Sequence, residues 1–534
     1  MRRVIPLLAI CGFTILLAAT PQADAQKKKE KGKFDPPESL QPTPDQLKQI
    51  EAKTAQLAAK IAELRKDKKT HELLPDVEIY LRGARNIVRF KEFFSKDSVK
   101  WTLAALATGL LRAEQLAKGE TPWTTLEKRN VLRAYRSVID GTAQAYGVTY
   151  PLDYGKDPKR KWRVDIVLHG RGGTLTEVSF ANTHSGSKKV SPDQDWVQID
   201  IYGRGNNAYR WSGETDVLEA MEAFFRAESR AGRDHPDRRR VVLRGFSMGG
   251  AGTWHLGLHY PDKWCVMGPG AGFTTTHDYA WKGKKELPDY QERCLRVYDA
   301  IDYVENARMI PIVAYSGGDD AQKLAADNIE NRLKELKINA MTHLVKPGVG
   351  HKFDADYFQK ANALWSEHAT KGRPVWNEKT SFVTYTTKYP MNGSVWIVGL
   401  EKHYEKASVE FSWKIGENIR LTTRNVRELM IPGPTNAAAR IEIDGVSFPS
   451  TDSRDPLGFF LVKEAGKWKS MSSLRALIGT NVASKKLPYR QGPIDDAFAS
   501  GFMCVLGTGE TWHPATQKFV DAKVKAFEYD WAKH

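Results

Sequence analysis

Apolar positions recur at helical spacing over residues 45–66, 77–94 and 99–118, and Gly119 ends the third run. They predict a small helical lead-in that packs on something larger. From 132 to 151 the pattern changes to alternation about Ile139-Asp140-Gly141-Thr142, where Asp-Gly marks a hairpin turn between two strands. Strand-like runs follow at 164–168, 197–202, 241–243, 310–315 and 342–345, with helical patterns at 214–230, 249–260, 321–336 and 354–370. Strands alternating with helices predict an α/β fold, a mainly parallel sheet with helices on both faces. Past Pro374 short alternating runs at 409–415, 419–426, 439–443 and 459–463 predict a second, β-rich region. Residues 516–534 are helical again and lack a capping signal at their end, as expected of a natural chain that extends further.

The amino terminus carries a different pattern. Arg2 and Arg3 precede the apolar run 4–19, and Ala23-Asp24-Ala25 supplies small residues at a cleavage offset. Residues 1–25 therefore read as a Sec-type secretory signal, and a periplasmic or extracellular location is expected. No other stretch is apolar enough to predict a transmembrane helix in the mature chain. A chain of 534 residues exceeds one hydrophobic core. The expected organisation is a signal (1–25), a basic, Pro-rich tether (26–44), a helical lead-in (45–131), an α/β catalytic domain (132–372) and a β-rich accessory domain (373–534).

The net charge of +16 concentrates in Lys27-Lys28-Lys29 and in 156–163, which read as solvated faces. No zinc-finger or RNP motif accompanies them, so no nucleic-acid partner is expected. Export leaves Cys265, Cys294 and Cys504, too few for a disulfide framework; the candidate for a single bridge is Cys265 with Cys294, inside one predicted domain.

The chemistry centres on Arg244-Gly245-Phe246-Ser247-Met248-Gly249-Gly250, between an apolar strand and a helix. This reads as a nucleophile elbow, with glycines around a tight strand-to-helix turn that projects the Ser247 hydroxyl. A serine hydroxyl needs a histidine to take its proton and a carboxylate to orient that histidine, and on such a sheet both come later in the chain. His351, in the glycine-rich loop after the 342–345 strand, is the best-placed histidine. The loop after 310–315 offers Asp319 and Asp320, and the residues alone favour neither strongly. Backbone N–H donors for an oxyanion are expected from Met248 and from Arg171 in His169-Gly170-Arg171-Gly172-Gly173. His169, Gly172, Arg204 and Asn206 are expected to line the cleft. The glycines of 202–207 lack a following Gly-Lys-Ser/Thr, which argues against a nucleotide loop. His255 and His259 lack the Glu of a zinc protease and read as helix histidines, while Asp216 and Glu219 read as helix first-turn charge. No metal or cofactor is expected.

Together Leu168 to Gly173, Gly245 to Gly250 with Gly252-Thr253-Trp254, the loop from Tyr315 to Asp320, and Gly350-His351 resemble bacterial secreted α/β-hydrolases. Those are related to the catalytic domain of the prolyl oligopeptidase family and to acetylxylan and feruloyl esterases. The resemblance implies an α/β-hydrolase fold with Ser247, Asp320 and His351 as its triad, because Gln322-Lys323 follows Asp320 as in the relatives' acid loop. It implies no cofactor. The short helical lead-in departs from the β-propeller of true prolyl oligopeptidases, so ester cleavage, on a small molecule or a polysaccharide, is expected over peptide cleavage. A non-catalytic scaffold on the same fold is the third reading. Residues 491–498 resemble an accessory region fused to such hydrolases. Trp376, Trp396, Trp413 and Trp468 read as core residues rather than a sugar platform.

Overall fold

The computed structural model describes residues 35–533 apart from 187–188, 278–285, 375–376, 433–437, 453–454, 475–478, 480–484, 489, 493, 508 and 510. The predicted signal, Lys27 to Lys29 and Trp376 lie outside the described residues. Three helices come first, α1 (Pro44–Leu64), α2 (Pro75–Arg89) and α3 (Ser98–Ala117). A capping box starts α1: the Gln46 N–H donates to Thr43 Oγ1 (3.3 Å), and the Thr43 N–H donates to Gln46 Oε1 (2.9 Å). Its buried stripe is Ile50, Leu57, Ile61 and Leu64. Gly109 lets α3 close on α1, since a Cβ there would lie 2.7 Å from Leu57 Cδ2.

These helices share a core with the antiparallel hairpin of β1 (Asn130–Arg136) and β2 (Ala143–Thr149) and with α4 (Glu177–Thr183), through Val131, Leu132, Ala145 and Phe180. Buried Asp76 accepts from Trp123 Nε1 (3.0 Å), Arg133 Nε (3.0 Å) and the Ala134 N–H (2.6 Å). α2 is thereby locked to β1.

Six further strands complete the sheet: β3 (Trp162–Leu168), β4 (Trp196–Ile201), β5 (Pro236–Phe246), β6 (Val266–Gly270), β7 (Ile312–Gly317) and β8 (Met341–Lys346). Its order is β1-β2-β4-β3-β5-β6-β7-β8, parallel from β4 through β8, which is the α/β-hydrolase fold. Leu243, Met267 and Ile312 face α5 (Ser212–Arg230), α6 (Met248–His259) and α8 (Leu324–Glu335). Their neighbours Val242, Val266 and Val313 face α9 (Ala355–Lys371). This double burial explains the nearly continuous apolar strands. Sequence pattern misses β6, because Gly268, Pro269 and Gly270 suppress its strand signal. A Cβ at Gly268 would lie 2.5 Å from the buried Trp365 ring.

A short helix, α7 (Asp289–Leu295), carries Cys294 to the surface, while Cys265 is buried beside Val242 and Trp365. The candidate Cys265–Cys294 bridge is not formed; both are free thiols, as is Cys504. The basic run 156–163 is partly absorbed by the fold: Trp162 is buried, and Arg160 stacks 3.5 Å over its ring while pairing with Asp153.

The C-terminal strands are β9 (Lys379–Thr384), β10 (Trp396–Leu400), β11 (Ala407–Ser412), β12 (Ile419–Arg424), β13 (Val426–Pro432), β14 (Arg440–Ile443), β15 (Val446–Pro449), β16 (Gly458–Glu464) and β17 (Lys467–Met471). They form two sheets, β10-β13-β16-β17 and β15-β14-β12-β11-β9, around a shared core that includes Phe382, Ile397, Phe411, Leu429 and Phe459. The single run predicted at 419–426 is two strands, broken at Asn425 with φ of 56°. Trp413 and Trp468 are core residues and Trp396 is half-buried. This sandwich is stitched to α6, on the face of the large sheet, by buried Asn306, whose Nδ2 donates to Leu258 O (2.9 Å) and Val383 O (3.1 Å) and whose Oδ1 accepts from the Val383 N–H (2.8 Å). α10 (Pro514–Lys533) returns to the lead-in, with the Tyr529 ring 5.2 Å from that of Phe90. No helix among the described residues is long and apolar enough to cross a membrane.

Candidate active site

β5 ends at Phe246 and α6 begins at Met248, leaving Ser247 to make the turn with φ of 61° and ψ of −118°. A non-glycine residue keeps such backbone only where its surroundings over-determine it. Here the Ser247 N–H donates to Gly270 O (2.8 Å), and the turn is so close to β3 that a Cβ at Gly249 would lie 2.0 Å from Leu168 O. Only glycine fits there.

His351 Nε2 lies 2.8 Å from Ser247 Oγ, and His351 Nδ1 lies 2.8 Å from Asp320 Oδ2. With the Nδ1–H donated to the carboxylate, Nε2 is the lone-pair nitrogen that accepts from the serine hydroxyl. The Asp320 side chain is 3% exposed against 41% for His351, and its second oxygen accepts from the Gln322 N–H (2.9 Å). One carboxylate thus orients the imidazole and caps a helical turn. Asp319 is exposed and reaches the histidine loop only through its backbone, donating to Val349 O (3.0 Å). The histidine loop is packed from below: Phe246 lies 5.0 Å from the imidazole, and Phe353 stacks on Tyr315 at 4.0 Å. Tyr315 Oη donates to Lys352 O and accepts from the Asp354 N–H, both at 3.1 Å.

The loop 169–173 follows β3 and lies against the serine, since a Cβ at Gly170 would be 3.6 Å from that of Ser247. Asn206 clamps it from both sides, accepting from the Gly172 N–H (3.1 Å) and donating to Gly172 O (2.9 Å). Gly172 and Asn206 therefore shape the loop that carries Arg171, whose side chain is exposed. Met248 is the first residue of α6, where an N–H has no acceptor within the helix.

Two expected cleft residues are occupied elsewhere. The His169 ring sits between Gly170 O (2.8 Å) and Tyr202 O (3.0 Å), so it braces the loop. Arg204 is spent on Asp140 (2.7 Å), Asp216 (3.3 Å) and Ser137 Oγ (3.0 Å), with a side chain 8% exposed. Asp216 is accordingly a buried ion-pair partner rather than first-turn charge, and Glu219 accepts from Ser137 Oγ and the Val138 N–H, both at 2.9 Å. Loop position predicts the cleft edge that these residues reach; it carries no information on the carboxylates waiting across the fold.

His255 and His259 are core residues: His255 Nε2 lies 2.6 Å from Glu214 Oε2, and His259 packs on Tyr303 and Tyr389. Burial, reinforced by the charge of His255, holds the His259 ring well below its ordinary pKa, hence neutral. Asp327, Glu330 and His343 bring three potential metal-ligand atoms together, but Lys323 (2.6 Å) and Lys334 (2.9 Å) already neutralise the two carboxylates. Sequence reading also missed Tyr209, which carries no motif; it is fully buried and accepts from the His169 N–H at 2.6 Å.

No family model matches the chain. A protein of Arthroderma benhamiae described as an uncharacterized secreted protein is 25% identical over 365 residues, 62% of this chain. The chain spans only 38% of that relative's length. Among solved structures, a ferulic acid esterase is 18% identical with a TM-score of 0.32, covering 46% of this chain and 97% of that one. S-formylglutathione hydrolase of Staphylococcus aureus is 17% identical with a TM-score of 0.33, covering 45% of this chain and 98% of that one. An acylaminoacyl peptidase of Pyrococcus horikoshii is 16% identical with a TM-score of 0.35, covering 47% and 43%. At such identities and TM-scores these likenesses do not separate ester from peptide chemistry.

Proposed function

We propose that this protein is an exported serine hydrolase of carboxylic esters, working through an acyl-enzyme intermediate. The observation that carries the reading is the unbroken chain from Ser247 Oγ to His351 to Asp320, 2.8 Å at each step, on a strained turn between strand and helix. Ser247 attacks the ester carbonyl while His351 Nε2 takes its proton, and Asp320 stabilises the imidazolium that forms. The N–H groups of Met248 and Arg171 receive the charge that develops on the carbonyl oxygen. His351 then returns the proton to the leaving alcohol, and water, activated by the same histidine, releases the acid.

Ester side groups of polysaccharides are the proposed natural substrates, reached outside the cytoplasm after removal of residues 1–25. Among the described residues, helices and a hairpin rather than a β-propeller precede the parallel strands, which supports the ester reading over an oligopeptidase. Turnover of 4-nitrophenyl acetate and methyl ferulate is expected, with little cleavage of a prolyl-amide chromogen and with fluorophosphonate labelling lost in Ser247→Ala. Preferential amide cleavage would replace the ester reading with a peptidase, and an unlabelled wild type would leave only a scaffold.

A further inference from the structure

β3 and β4 pair until Leu168 meets Ile201, and there the chains part: one enters the 169–173 loop against the serine, the other the turn into α5. Tyr209 fills the fork. It is fully buried, and its hydroxyl accepts from the His169 N–H (2.6 Å) while its own O–H has His169 O and Ile201 O as acceptors, each at 3.4 Å. A side chain thus adds one rung where the ladder ends, giving the first N–H past β3 the acceptor that a part-buried donor needs. The ring is wedged as well. A Cβ at Gly203 would lie 2.8 Å from its Cε1, and a Cβ at Gly252 on α6 would lie 2.6 Å from its Cδ2.

The backbone that delivers Tyr209 is strained: Arg204, Ala208, Tyr209 and Trp211, none of them glycine, hold φ values of 57°, 56°, 56° and 51°. Such conformations persist where the surroundings over-determine them, and they cluster at functional sites. Asn207 braces the turn from within, donating to Gly203 O (2.8 Å) and accepting from the Tyr209 N–H (2.9 Å). Arg204 anchors its start to the β1–β2 hairpin through Asp140 and Ser137, and to α5 through Asp216. The turn then grips the 169–173 loop at two points, His169 through Tyr209 and Gly172 through Asn206. Gly170 and Arg171 lie between them. Since a Cβ at Gly170 would stand 3.6 Å from that of Ser247, any shift of this stretch moves backbone that faces the nucleophile. Backbone donors stabilise an oxyanion only when aimed at it beforehand, and a misplacement of about 1 Å costs on the order of 10²-fold in rate.

We propose that Tyr209 and Asn206 are positioning residues that aim the Arg171 N–H at the oxyanion, Tyr209 acting from the core through the loop. This inference rests on the ester-hydrolase reading above. Tyr209→Phe removes one oxygen and keeps the ring. The full chain is assayed with 4-nitrophenyl acetate, with rates expressed per site titrated by a fluorophosphonate. Acylation and deacylation both pass through the oxyanion, so kcat falls roughly 10- to 100-fold while KM stays within about threefold. The midpoint of the pH–rate profile is unchanged, because His351 and Asp320 keep their contacts. Inhibition by benzeneboronic acid, whose tetrahedral serine adduct presents an oxygen to the same N–H groups, weakens by the same factor as kcat/KM. A merely structural defect would instead reduce the number of titrated sites and leave each at the wild-type rate. Asn206→Ala, at an exposed position, shows the same pattern with a loss of about 3- to 30-fold, which decides the matter should Tyr209→Phe not fold. Wild-type kcat per titrated site in either variant, or a fall in kcat with boronate affinity unchanged, overturns the proposal. With a labelled, active wild type those results leave the hydrolase reading standing, whereas an unlabelled, inactive wild type sinks both.

Discussion

Asp320→Asn changes one atom in the candidate site, and the geometry says what that atom does. The carboxylate accepts twice, from His351 Nδ1 (2.8 Å) and from the Gln322 N–H (2.9 Å). Asparagine offers one acceptor and one donor edge. The Gln322 N–H can only donate, so it claims the amide oxygen and turns the NH2 toward Nδ1. The imidazole must then carry its proton on Nε2, facing the serine, where it cannot act as a base. The expected loss in kcat is about 10⁴-fold. At about 1.4 kcal/mol per decade that is roughly 5.5 kcal/mol of barrier. The stability lost is smaller, about 1.5–3 kcal/mol for one hydrogen bond to a charged group. Activity should therefore collapse while the protein still melts cooperatively. The assay is kcat/KM on 4-nitrophenyl acetate with a thermal melt of the same preparation. Asp319→Asn, at an exposed position, is the control and keeps the wild-type rate. Retention of more than about a tenth of the activity in Asp320→Asn, or a larger loss in Asp319→Asn, would refute the assignment.

Gly249→Ala places a methyl 2.0 Å from Leu168 O, a clash with backbone that cannot rotate away, so expression of folded protein is lost or the melting temperature drops sharply. Burial, then the charge of Asp299, lifts the Asp302 carboxyl to about 6. Its folded pKa exceeds the unfolded value of about 3.9, so the unfolded chain sheds the proton first and stability falls as pH rises through that interval. Asp302→Asn is thus expected to melt above the wild type at pH 7, with the difference shrinking toward pH 4; a pH-independent difference contradicts this. Burial also pushes the Cys265 thiol up to about 12. Iodoacetamide mapping of the native protein at pH 8 should modify Cys294 and Cys504 but leave Cys265, with no disulfide peptide joining Cys265 to Cys294.

Much of this architecture is written in local periodicity. The parallel strands read as apolar runs because both faces of the sheet are covered, and the helices read as amphipathic stripes because one face of each is. The elbow is legible for the same kind of reason: a turn where a Cβ would stand 2.0 Å from a neighbouring carbonyl oxygen can hold only glycine, whatever surrounds it. What failed was local too. β6 carries Gly268 and Gly270 because the Trp365 and Phe246 rings need the space, and neither demand is visible within five residues of chain.

Local pattern specified most of the strands and helices, though not β6, together with the serine elbow, the later loops that carry Asp320 and His351, and the glycine-rich loop ahead of them. Which side chains those loops turn toward one another is set by long-range packing. It directs Asp320 to His351 while Asp319, one residue earlier, faces solvent, and it spends Arg204 on Asp140 and Asp216. The physical reason is range. Backbone periodicity and steric exclusion act over a few residues and leave their mark in the local sequence, whereas charge pairing and hydrogen bonding depend on which distant elements the fold brings within about 3 Å.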